Sequence, residues 1–114
     1  MKAYNKKLHG KLVRDKIPEI MESNGQSPKY VIHHRDFLFF DLGNKLIEES
    51  KEVKDTLYSH DPENERLIEE MADLLEAYEA LMEVKGLKMK DIKKAKKKKL
   101  KERGGFSKGV YLFK

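Results

Sequence analysis

Two short acidic stretches constrain this chain more than anything else in it. Glu48-Glu49-Ser50-Lys51-Glu52 and Glu69-Glu70-Met71-Ala72-Asp73 each hold a carboxylate pair three residues apart, Glu49 with Glu52 and Glu70 with Asp73. On a helix that spacing puts both side chains on one face. Between the stretches, Ser59-His60-Asp61-Pro62-Glu63 breaks one helix and starts another. Two helices folded back antiparallel about that turn bring four or five carboxylates to one level. Such a group repels itself unless a cation joins it, and carboxylate-only ligation selects Mg²⁺ or Mn²⁺ over zinc. Acidic runs are more often solvated helix faces. Here, however, Leu46, Ile47 and Val53 crowd the first stretch, and Leu67, Ile68, Met71, Leu74 and Leu75 crowd the second.

The rest of the pattern is helical. Over residues 36–58, Phe39, Leu42, Leu46, Val53 and Leu57 follow helical spacing, with Glu49 in the gap where an apolar residue belongs. Phe37, Leu38 and Phe40 make the first turn apolar all round, as in a helix buried against a second subunit. A second long helix is expected from Asp61 as N-cap, with Pro62 at its first position, to Lys85 before Gly86. Its stripe is Leu67, Met71, Leu74, Tyr78 and Leu81, and Ala77 beside it lets a neighbouring helix approach. A short helix from Asp15, as N-cap, to Ser23 carries Pro18 in its first turn and ends at Asn24-Gly25. A fourth runs from Lys88 to Arg103 and ends at Gly104-Gly105. Residues 1–13 are irregular around His9-Gly10, while Lys29–His33 and Val110–Phe113 have β propensity and read as short extended segments. The tail from Phe106 is too apolar to hang free and is expected to pack back onto the body.

The fold expected is all-α: an antiparallel bundle of about four helices in one domain, residues 1–114, with short extended N- and C-terminal segments. Charged residues make up 39% of the chain and mean hydropathy is −0.78, so each helix has few apolar residues and oligomerisation is expected to complete the core. The absence of cysteine excludes disulfides and thiolate metal sites. Met1-Lys2-Ala3-Tyr4 has no apolar signal core and no run approaches membrane-spanning length, so a cytoplasmic location is expected. Residues 93–103 carry eight basic side chains and one acidic one, a net of +7, which leaves −2 for the rest of a chain whose total is +5. The chain is thus a mildly acidic body with one strongly basic helix.

Glu48-Glu49-x-x-Glu52, followed after 17 residues by Glu70-x-x-Asp73, resembles the EExxE…ExxD pattern of the MazG-like all-α nucleoside triphosphate pyrophosphohydrolases. Lys11-Leu12-Val13-Arg14-Asp15-Lys16-Ile17-Pro18 and Arg103-Gly104-Gly105-Phe106 are similar to a MazG-related subgroup often labelled phosphoribosyl-ATP pyrophosphohydrolase-like. The resemblance implies a helical bundle that forms a homodimer or a dimer of dimers. It implies Mg²⁺ held by Glu49, Glu52, Glu70 and Asp73, with Glu48 binding a second metal or orienting water. The implied reaction is cleavage between the α- and β-phosphates of a nucleoside triphosphate, giving a monophosphate and pyrophosphate, with these five carboxylates as the catalytic set.

The chemistry of the residues agrees. A polyanionic triphosphate needs basic partners as well as a metal. Lys97 and Arg103 on the basic helix are the first candidates, with Lys45, one turn before Glu49, and Arg14 as further ones. A house-cleaning triphosphatase is the favoured reading, and phosphoribosyl-ATP hydrolysis in histidine biosynthesis is the alternative within the same chemistry. A non-enzymatic rival makes residues 88–103 a nucleic-acid-binding helix. Against it, that helix has no interleaved aromatics to stack on bases, and the body is acidic. A di-iron bundle requires Glu-x-x-His pairs, and His9, His33, His34 and His60 sit in none.

Overall fold

A computed structural model describes residues 10–113, so the irregular segment expected around His9 lies mostly outside the described residues. The described chain holds four helices: α1 (Ile17–Ser23), α2 (Arg35–Thr56), α3 (Glu65–Val84) and α4 (Met89–Arg103). The all-α expectation holds, and no strand occurs among the described residues. Lys29–His33 and Val110–Phe113 remain unpaired. Their β-branched and aromatic residues suit a strand, but propensity does not supply a partner for the backbone.

The helix starts differ from those expected because other residues supply the caps. Asp15 does not cap α1, which begins after Lys16 with Pro18 in its first turn. At α2 the Nδ1 atom of His34 accepts the Asp36 backbone N–H at 3.1 Å, so a histidine takes the N-cap role. Before α3, Asn64 adopts the left-handed conformation (φ 59°) and makes no side-chain cap. Asp61 still caps the helix from outside: its carboxylate oxygens accept the N–H groups of Arg66 and Leu67 at 3.2 and 3.1 Å. The acidic residue of Asp61-Pro62-Glu63 therefore does the work expected of it, but four residues upstream of the first helical residue.

α2 and α3 pack along each other, and no other pair of described helices is in more than marginal contact. Leu42, Ala77 and Met82 are the buried apolar residues, with Glu49 and Thr56 buried among the polar ones. Ala77 is buried as its small size suggested. The core is thin for a 114-residue chain, and the radius of gyration is 18.1 Å, against about 13 Å for a compact domain of this length. α4 buries no residue. The tail does not pack back on the body: Phe106 is 99% exposed, and Val110, Tyr111, Leu112 and Phe113 are almost as open. Gly104 closes α4 with φ 80°, and since α4 stands away from α2 and α3, it carries the tail away too. Tail apolarity called for a covering surface, and its own body does not provide one. No helix among the described residues is long and apolar enough to cross a membrane.

Candidate metal centre

The α2–α3 hairpin brings the two acidic stretches together as their spacing requires. Oxygens of Glu49, Glu70 and Asp73 all lie within 4.8 Å of one another. Oxygens bound to one hard cation at 2.0–2.6 Å sit at most about 4–5 Å apart, so these three can share one ion. Glu49 lies on the buried side of α2 and is only 5% exposed. Its Oε2 and the Oε2 of Glu70 are both buried without a hydrogen-bond partner among the described residues. Buried carboxylate oxygens are costly when unpartnered, and two of them converging in one cluster fit a cation better than a packing role.

Glu52 stands against Glu70 and Glu49. Contact with the Glu70 carboxyl, then burial, pushes the Glu52 carboxyl above its ordinary range. Burial does the same to Glu49, with the Glu52 charge adding and a hydrogen bond from Lys45 opposing. The Glu52 shift is chiefly that of carboxyls held together, and the Glu49 shift chiefly that of a carboxylate taken out of water. A divalent cation would relieve them.

Glu48 has a different environment. Lys45 Nζ donates to its Oε2 at 3.0 Å and Lys11 Nζ to its Oε1 at 3.3 Å. Those lysines, Lys45 foremost, hold the Glu48 carboxyl below the usual carboxylate range against the effect of burial. Lys45 also reaches Glu49 Oε1 at 3.2 Å. Burial acts against the Lys45 ammonium, but its hydrogen bonds to Glu48 and Glu49 outweigh that and raise its pKa. Arg14 Nη2 donates to Asp73 Oδ1 at 2.7 Å. The chain therefore sets Lys45 and Arg14 beside the carboxylates. It sets neither Lys97 nor Arg103 there: among the described residues no ion pair joins α4 to α2 or α3. The sequence did not single out Lys11 as a site residue, because no periodicity places an irregular segment. The only signal was its position three residues before Arg14.

A family profile for the MazG nucleotide pyrophosphohydrolase domain matches residues 41–105, more than half of the chain. The chain belongs to the MazG nucleotide pyrophosphohydrolase family. Both acidic stretches fall inside the matched span, and the Lys11–Pro18 segment falls outside it. MazG proteins act on nucleoside triphosphates and depend on divalent metal, and the converging carboxylates here suit that dependence. No curated protein and no solved structure matches the chain significantly.

Proposed function

We propose that this MazG-family chain is a Mg²⁺-dependent nucleoside triphosphate pyrophosphohydrolase with a house-cleaning role. It cleaves between the α- and β-phosphates and releases a nucleoside monophosphate and pyrophosphate. Residues 1–114 form one such domain. The observation that carries the reading is the pair of buried, unpartnered oxygens on Glu49 and Glu70 beside Asp73.

Glu49, Glu70 and Asp73 hold the metal, and Glu52 completes the set from its place against Glu70. Mn²⁺ suits the same oxygen donors. When bound, the ion supplies charge neutralisation at the phosphoryl oxygens and an acidified water. Whichever of Glu52 and Glu49 is not fully taken up by the metal would accept a proton from the attacking water. Glu48 holds Lys45 beside the cluster and orients water or binds a second metal. Lys45 and Arg14 bind phosphate oxygens from the same chain.

Oligomerisation belongs to the same reading. Phe37, Phe40 and Ile47 on α2, and Ile68, Met71 and Leu75 on α3, lie at helical spacing and are exposed. Exposed large apolar side chains recurring along a helix suit an interface with a second chain. A homodimer or dimer of dimers covers them, and Lys97 and Arg103 then serve the site of a neighbouring copy. Sedimentation equilibrium giving only the 13.4 kDa chain mass would refute the assembly.

The reaction is tested by incubating the protein with Mg²⁺ and canonical nucleotides, modified nucleotides or phosphoribosyl-ATP, then separating products by anion exchange. Monophosphate plus pyrophosphate is expected. A clear preference for phosphoribosyl-ATP would move the role to histidine synthesis. Orthophosphate alone would overturn the cleavage site.

A further inference from the structure

Residues 10–14 enter α1 as an irregular strap, anchored where Arg14 O accepts the Ile17 N–H at 3.0 Å. The strap is not a neutral connector. Its two cations reach one carboxylate on each long helix: Lys11 pairs with Glu48 of α2, and Arg14 pairs with Asp73 of α3. We propose that this strap is a polyphosphate clamp that occupies the carboxylate site in the resting protein and grips the substrate's phosphates in the loaded one. The proposal rests on the reading of Glu49, Glu70 and Asp73 as a metal site.

Charge count and exposure carry it. Glu48, Glu49, Glu52, Glu70 and Asp73 are five acidic groups, and among the described residues Lys11, Arg14 and Lys45 are the cations paired with them. Among these groups that leaves an excess of −2, which one divalent cation would balance. Once the ion is present, the cations are the groups available to an incoming anion. They are not equivalent. Lys45 is 18% exposed and fixed between two glutamates, whereas Lys11 and Arg14 are 66% and 57% exposed. Ion pairs this open are weak, so they exchange readily for a stronger partner. A phosphate is one: a guanidinium binds two of its oxygens in a matched fork.

The seam between strap and α2 is also not closed. Gly10, Lys11 and Leu12 face Asp41, Asn44, Lys45 and Glu48 across a cavity of about 90 Å³, with both lysines and the two carboxylates on its wall, so that an entering anion must displace Glu48 from the lysines. A phosphate group entering there meets Lys11 and Lys45 together. Half-buried Leu12, Ile17 and Pro18 hold the strap's backbone in position, so the cationic heads can change partner without the segment leaving. α4 offers more positive charge but, among the described residues, no ion pair with the cluster.

An anchoring role and a clamp role predict opposite results for the metal. Mn²⁺ alone is titrated into full-length wild type, Lys11→Gln, Arg14→Gln and the double variant by calorimetry. Inorganic pyrophosphate is then titrated with and without Mn²⁺. Lys16→Gln, a nearby cation outside these pairs, is the control. The clamp predicts that Arg14→Gln binds Mn²⁺ about two- to fivefold more tightly, because a competing ion pair is gone. The double variant binds pyrophosphate at least about tenfold more weakly, and Arg14→Lys recovers part of the loss. Equal or weaker Mn²⁺ binding by Arg14→Gln, with pyrophosphate binding intact in the double variant, makes the strap an anchor and overturns the proposal. If wild type takes up no divalent cation, the metal reading fails, and the pyrophosphate titration without metal still decides the clamp. A variant that loses its helical circular dichroism is judged instead from Arg14→Lys.

Discussion

Glu70→Gln gives the sharpest test of the carboxylate cluster, because its two expected effects have opposite signs. None of the ion pairs among the described residues involves Glu70, and its Oε2 is buried and unpartnered. Its carboxylate lies within 4.8 Å of oxygens on Glu49 and Asp73. Two full charges at that distance repel by about 0.9 kcal/mol in water and about 3.5 kcal/mol at an effective dielectric of 20. Lys45 and Arg14 offset part of this, and the half-buried position favours the lower end. Removing the charge should therefore stabilise metal-free protein by about 1–2 kcal/mol, or raise Tm by about 4 °C or more. On the proposed function the same change removes a metal ligand. Wild type at 100 times its metal Kd gains about 2.7 kcal/mol by mass action, and the variant gains little or none. Differential scanning calorimetry at fixed protein concentration, in chelator and in excess Mg²⁺, reads both. The order of the two melting temperatures should reverse between buffers. A variant that melts below wild type in chelator, or that keeps the full Mg²⁺ shift, would refute the reasoning.

The shifted carboxyls set a pH dependence. Glu49 and Glu52 hold protons more tightly folded than unfolded, so their contribution to metal-free stability is present below their ordinary range and is lost as pH rises through their raised values. Glu48 is the reverse: its contribution is present above its ordinary pKa and is lost as pH falls through the lowered one. Melting in chelator should thus improve on mild acidification from neutral and fall again in stronger acid, while Mg²⁺ affinity by calorimetry declines throughout the acidification. Asp61→Ala removes the acceptor of two N–H groups at the start of α3 and should cost about 1 kcal/mol in urea unfolding, with kcat unchanged. Lys97→Gln with Arg103→Gln should raise KM for the triphosphate and leave Mn²⁺ affinity unchanged. An unaltered KM would remove α4 from every copy's site.

The sequence carried the parts of this account that depend on periodicity. A glutamate in the gap of an apolar stripe on 36–58 is the buried Glu49 of α2, and two i, i+3 pairs flanking a Pro-containing turn supply the convergent Glu49, Glu70 and Asp73, with Glu52 beside them. Helix spacing is local, so it survives translation into three dimensions. Cap identity was less legible: nothing in the pattern marked His34 as the cap of α2, and Asp61, expected as the N-cap, acts from four residues before α3. The tail shows a different limit. Phe106 and the residues from Val110 to Phe113 announce a need for burial, but composition does not say which surface meets it. Lys11 was hidden for a related reason: the strap has no repeat, and only the folded chain brings it to Glu48.

Product analysis with Mg²⁺ tests the central claim most directly. A nucleoside triphosphate labelled at the α- and γ-phosphates is incubated with wild type and with Asp73→Asn, and the products are resolved by anion exchange. The account predicts monophosphate and pyrophosphate in equal amounts from wild type, and neither from a folded Asp73→Asn. Orthophosphate with a diphosphate, or no turnover of any triphosphate with Mg²⁺ or Mn²⁺, would contradict it.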